Sequence, residues 1–131
     1  MNALPGIIKA ISVQGQFALM DVDVDGTMLK CIMIESPDSN FLAVGKSVQV
    51  LFKETEVVIG HAGTHGISLQ NKISCRIDTM DTGNLLCRLS LHFEKHKIVS
   101  VVTRSAVEQL RLREGDEVLA MIKTNEVLLS E

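Results

Sequence analysis

Tryptophan and tyrosine are absent from this 131-residue chain, and phenylalanine occurs only at Phe17, Phe41, Phe52 and Phe93. Without aromatic platforms on which bases stack, a surface for single-stranded nucleic acid has little to build on. A net charge of -3 removes any general attraction for nucleic acid or an anionic membrane, so a bound anion must be held by local geometry. Cys31, Cys75 and Cys87 form an odd set without Cys-x-x-Cys spacing, which predicts buried, reduced thiols rather than a disulfide framework. No apolar run approaches the ~18 residues of a membrane span, and the N-terminal MNALPGIIKAISVQGQF lacks a basic segment followed by a long apolar one. These absences predict a soluble, cytoplasmic protein with no membrane partner. No Ser/His/Asp set, metal-ligand spacing or phosphate loop stands out, so the expectation is a protein that is not an enzyme and has no cofactor.

What is present is a repeat. Sliding the chain on itself by about 70 positions pairs VGKSVQVLFKETEVVIG with EGDEVLAMIKTNEVLLS, matching Gly45 with Gly115, Val48 with Val118, Lys53 with Lys123 and Val57 with Val127. Upstream the register shifts by one residue, so that Asn2 falls on Asn71, Ile8 on Ile77 and Ser36 on Ser105. The stretch GHAGTHG at 60–66 has linker composition. The expected organisation is a first module over 1–60, a linker over 61–66 and a second module over 67–131.

Within each module the apolar residues follow a strand period. FALMDVDVDGTMLKCIMI alternates around Val22 and Val24 and turns at Asp25-Gly26, a hairpin dipeptide, while Leu89, Leu91 and Phe93 alternate in the second copy. One short helix per module is expected next, from Ser36-Pro37 and from the capping-box pattern Ser105-Ala-Val-Glu108. Gly45 and Gly115 then supply tight turns into the final strands. Strands, a short helix and more strands in about 65 residues describe an all-β chain of two tandem OB-like barrels. Modules this small bury little surface, and a homo-oligomer is the expected remedy.

The second module gathers SLQN at 68–71, VTRSA at 102–106 and IKT at 122–124, three stretches rich in hydrogen-bond donors and poor in carboxylates. A tetrahedral dianion carries only acceptors, so such an inventory suits it. Ser105, at an expected helix start, reads either as a plain cap or as a donor beside outward-pointing N–H groups, and Lys123, ending an apolar strand before Thr124, either as a solvated lysine or as an ammonium converging with a hydroxyl. His61 and His65 lie in a glycine-rich loop and do not make a metal site; His92 and His96 flank a turn and read as solvated.

ISLQNKISCRI together with VVTRSAVEQLRLREGDEVLAMIKTNEVLLS resembles the Mop domain of the molbindins over nearly all of residues 67–130. The family pattern runs Ser-x-Arg-Asn, a hydroxyl residue ahead of a Ser/Ala-Val-Glu-x-Leu helix, Gly-x-x-Val and Lys-(Ala/Ser/Thr)-x-x-Val. NALPGIIKAI, Gly45 and LFKETEVVIG carry a looser likeness in the first half. The resemblance implies five-stranded OB-like barrels, six Mop domains per assembly and hence a trimer of two-module chains, with molybdate or tungstate bound where domains meet. Carried across, it implies Ser68, Asn71, Thr103, Lys123 and Thr124 as oxyanion ligands. Gln70 stands where the family usually has arginine, and Ala106 where some members have serine. The first half has Ile34 in place of Thr103 and Glu54 in place of Thr124, which makes it chiefly a structural partner.

The function expected is therefore binding of molybdate or tungstate for storage or homeostasis, without chemical transformation. A sensing module acting with a transcription factor or transporter ATPase is the alternative. The chain itself carries no helix-turn-helix and no P-loop, so a sensing output would need another chain.

Overall fold

Alternation of Leu4, Gly6 and Ile8 with Ala3, Pro5 and Ile7 gives the first strand, β1 (Asn2–Gln14), one buried and one open face. In the computed structural model, which describes residues 1–34 and 42–131, β1 turns into β2 (Phe17–Val24) and β3 (Thr27–Met33), and β4 (Ser47–Phe52) and β5 (Val58–His61) follow. The second half repeats the series: β6 (Asn71–Thr82), β7 (Leu86–Phe93), β8 (His96–Thr103), the helix α1 (Arg104–Leu110), β9 (Glu117–Ile122) and β10 (Leu128–Ser130). The expected Asp25-Gly26 turn joins β2 to β3, with φ of 47° and 88° at its two central residues, as a two-residue hairpin of the favoured hand requires. Gly45 and Gly115 adopt φ of 90° and 92°, and the N–H of each donates at 2.7 Å to the carbonyl of Ile8 or Ile77, its counterpart contact in the other copy.

Ten strands make two five-stranded sheets, ordered β10-β4-β1-β2-β3 and β5-β9-β6-β7-β8. Each sheet takes one edge strand from the other half of the chain, so the division of the sequence at 61–66 is not a division between sheets. The crossings are matched: β5 pairs with β9 through Val58 opposite Met121, and β10 pairs with β4 through Leu128 opposite Leu51. Register shifts at Lys9 in β1 and Asp78 in β6 let one long strand pair first with β4 or β9 and then with β2 or β7. Pro5 sits where β1 has only β4 beside it, so its missing N–H interrupts no ladder on the open side.

A single aliphatic core runs through both halves, with Leu4, Ile8, Met20 and Val50 of one continuous with Ile73, Leu89, Ile98 and Ile122 of the other. Sharing the core answers the thinness of each half taken alone. Among the described residues α1 is the helix present; the helix expected from Ser36-Pro37 falls outside them. The start expected at Ser105 is corrected by two residues. Thr103 is the N-cap, its Oγ1 accepting from the Ala106 N–H at 3.0 Å, while Glu108 accepts instead from Arg104 Nε at 3.1 Å. The reason is tertiary: β8 stays paired until Thr103 lies opposite Leu86, and the next N–H, of Arg104, donates to the Leu85 carbonyl at 2.8 Å.

Candidate functional site

β6 begins at Asn71 opposite Ile122, the last residue of β9. The chain leaves the sheet there in both directions, toward Gln70 and Ser68 on one side and toward Lys123 and Thr124 on the other. Ser68, Gln70 and Lys123 are exposed and Thr124 is half-buried. Lys123 holds an extended backbone, and its carbonyl accepts from Glu126 N–H at 2.9 Å, which fixes a single 3-10 turn over Thr124–Glu126. Among the described residues no carboxylate pairs with the Lys123 ammonium. Asn71 differs from its neighbours: it is fully buried, and both ends of its amide are bonded to the backbone of Lys30 on β3. Its side chain positions the end of β6 by committing the amide oxygen and one of its two N–H groups to β3, and its full burial keeps it from the surface.

Thr103, Ser105 and Ala106 lie elsewhere. Thr103 and Ala106 line a groove of about 300 Å³ whose opposite wall is Thr55, Val57 and Val58 from the other half; neither Ser68–Asn71 nor Lys123 lines it. Ser105 is exposed on the outer side of α1, in a shallow depression with Asn84, Leu86, Thr103, Arg104 and the Glu108 carboxylate. Because Thr103 Oγ1 accepts from Ala106, its own proton remains free to donate to an acceptor outside. The Ala106 N–H is already committed to the cap. One chain therefore brings Ser68, Gln70, Asn71, Lys123 and Thr124 to one end of a sheet and sets Thr103, Ser105 and Ala106 apart from them.

The first half offers the same turn with different chemistry. Lys53 and Lys123 have near-identical backbones, with φ and ψ of -72° and 145° against -65° and 144°, and Glu56 N–H donates to Lys53 O at 3.0 Å. Where Thr124 stands in the second copy, Glu54 stands in the first, and Arg88 of β7 donates to both its carboxylate oxygens, at 2.6 and 3.3 Å. Arg88 escaped the sequence reading. Its one signal is the mismatch with its repeat counterpart on β2, Leu19.

A groove of about 420 Å³ beside Gly6 and Ile7 is lined by Asp23, Asp25 and Glu131 against Lys95, a net negative wall that disfavours a dianion. Among the described residues no cluster of His, Cys, Asp and Glu could hold a metal ion. His61 bonds the Leu110 carbonyl and His65 that of Gly63. The solvated reading of His96 is corrected: its ring packs on Phe93 and pairs with Asp25 across the two hairpin tips, because the two halves face each other there. The three cysteines are free and buried, and burial pushes the thiols of Cys31 and Cys75 up to about 11 and about 12. The Cys31 and Cys75 thiols are therefore protonated near neutral pH. No helix is long and apolar enough among the described residues to cross a membrane.

Residues 67–129 match the family model described as the TOBE domain. Over 97 residues, 73% of this chain, the sequence is 32% identical to the molybdenum import ATP-binding protein ModC of Rhizobium johnstonii; the match spans 27% of that protein, about a quarter of its length. The solved structure of the cytoplasmic molybdate-binding protein ModG, in a crystal form with molybdate bound, is similar at a TM-score of 0.89 and 28% identity, over 98% of this chain and 94% of that one.

Proposed function

This chain belongs to the TOBE-like Mop family, the molbindins, and from that premise we propose that it is a cytoplasmic molybdate- and tungstate-binding protein serving storage or homeostasis. One observation carries the reading: a near-complete structural likeness to a protein crystallised with molybdate bound. The residues present suit the task. Ser68, Gln70, Lys123 and Thr124 present donors at one sheet end without a carboxylate partner for the lysine, and the free hydroxyl proton of Thr103 and the hydroxyl of Ser105 present donors at another. Asn71 acts by holding the first of these ends in place, and Ala106 by leaving room beside Thr103. Binding needs no bond to be made or broken, and the protein acts as a carrier rather than an enzyme.

The two donor groups meet when copies of the chain assemble. Exposed apolar residues flank both ends, Ile67 beside Ser68 and Leu85 and Leu86 opposite Thr103, with Leu85 80% exposed; surface of that kind supports burial against another copy. We read the assembly as a homotrimer of two-module chains, each chain two OB-like five-stranded barrels over 1–60 and 67–131, joined through 61–66 and exchanging their last strands. Nucleic acid and membranes are not among its partners in this reading.

Calorimetry with molybdate, tungstate, sulfate and phosphate tests the function, with heat expected from the first two and little from the others. No heat and no thermal shift with either metal oxyanion would overturn it. A mass of three chains by light scattering tests the assembly. A sensing role beside a transporter ATPase is the second reading, favoured by the partial match to ModC; co-purification with an ATP-binding subunit would select it.

A further inference from the structure

The two halves present one turn in two chemical states, and the difference between them is confined to a few side chains. The turns after β4 and β9 share backbone angles and the same internal hydrogen bond, and each begins with a lysine. In the second copy Thr124 follows the lysine. In the first copy Glu54 follows it, its side chain 24% exposed, and the Arg88 guanidinium from the other half of the chain grips both carboxylate oxygens.

A guanidinium fork that holds the two oxygens of a carboxylate has the geometry to hold two oxygens of a tetrahedral oxyanion. We propose that Glu54 is a built-in counter-anion that closes the first-half counterpart of the oxyanion site, and that Arg88 is the cation it masks. This rests on the reading of the second-half turn as an oxyanion site, and it assigns Glu54 as the residue that decides which halves bind.

Competition sets the outcome. A carboxylate tethered beside its partner acts at an effective concentration on the order of millimolar or more. Free oxyanion present at roughly micromolar levels is outnumbered about a thousandfold at Arg88 unless it binds correspondingly tighter. The negative charge of Glu54 adds repulsion to the competition. The second half has no such competitor: threonine replaces the carboxylate, and Leu19 stands on β2 where Arg88 stands on β7.

The test is the number of molybdate ions bound per chain, measured by equilibrium dialysis on the full chain with light scattering to confirm assembly. Glu54→Thr, which writes the second-half residue into the first half, is expected to raise that number above wild type. Glu54→Gln, close in shape but uncharged, is expected to raise it with weaker affinity, and it carries the test should the threonine variant not assemble. Adding Arg88→Leu to either is expected to remove the gain. A gain in the Glu54 variants with wild type also binding supports both readings. A gain where wild type binds none supports the latent site and overturns the second-half assignment. No gain in an assembled Glu54 variant, or a gain that survives Arg88→Leu, overturns the inference while leaving wild-type binding as its own measurement.

Discussion

Asn71 and Lys30 are joined through both ends of one amide: the Lys30 N–H donates to Asn71 Oδ1 at 2.6 Å, and Asn71 Nδ2 donates to the Lys30 carbonyl at 2.8 Å. Asn2 repeats the arrangement with Val99, at 2.8 and 2.9 Å, between the counterpart positions of the other copy. In each case a side chain imitates a strand neighbour for an edge strand of the opposite sheet, so the two halves are stitched reciprocally.

Asn71→Ala leaves a backbone donor and a backbone acceptor of half-buried Lys30 without their partner, at up to about 1 to 3 kcal/mol for each group and less where water reaches it. A fall in the urea midpoint is expected, and Asn71→Asp should also destabilise because a carboxylate cannot donate to the Lys30 carbonyl. A midpoint equal to wild type would show that the amide is not a structural bridge.

Lys123→Ala removes a charge-assisted donor and should weaken molybdate binding by about 1.5 to 3 kcal/mol, on the order of tenfold to a hundredfold. Lys53→Ala should do much less, because the adjacent Glu54 carboxylate repels an anion. Titrations of both variants, each confirmed to keep wild-type assembly, check this; equal losses would mean that both halves contribute alike.

Cys31 and Ser100 are repeat counterparts, donating at 2.9 Å to the carbonyls of Val127 and Val57 respectively. Cys31→Ser should therefore be tolerated. The folded state holds the Cys31 and Cys75 protons to about 11 and about 12, against 9.0 for a free thiol, so their stabilising contribution is complete below pH 9.0 and is lost as pH rises through about 11 and 12. Thermal melts from pH 8 upward should show a decline that Cys31→Ser reduces; an identical decline in the variant would rule out this thiol as a cause.

Gly6 and Gly60 are both crowded, yet by different neighbours. A Cβ at Gly6 would stand 2.7 Å from Val22 Cγ1 and 3.1 Å from the Asp23 carbonyl, whereas at Gly60 it would stand 2.7 Å from Met121 Cε, the far end of an unbranched side chain. Gly6→Ala should cost about 1 to 3 kcal/mol by forcing a stiff β-branched side chain and backbone apart, and Gly60→Ala less. Chemical denaturation of the pair gives the order, and a larger loss at Gly60 would contradict it.

Much of this molecule is legible in the linear chain because its causes are local. The hairpin at Asp25-Gly26 follows from two residues that accept positive φ. The buried faces of β2 and β7 follow from Val22 and Val24 and from Leu89, Leu91 and Phe93, whose alternation has the period of a strand. The repeat and the family likeness are likewise properties of residue order, and they placed Lys123, Thr124 and Ser68 as candidates.

What the sequence could not say is which edge β5 and β10 join. Val58 opposite Met121 and Leu128 opposite Leu51 are equivalent pairings in the two copies. A repeat thus offers its last strand two edges of the same pattern, and periodicity is equal for both. The course of the chain through the 3-10 turns decides it, with Val57 and Val127 anchored by Ser100 and Cys31 from the opposite half. That crossing carries Glu54 to Arg88, parts Thr103 from Lys123 and commits Asn71 to Lys30. Residue types determined that hydrogen-bond donors gather in these stretches; tertiary pairing between halves far apart in sequence decided which of them are committed to the protein itself and which lie at the surface.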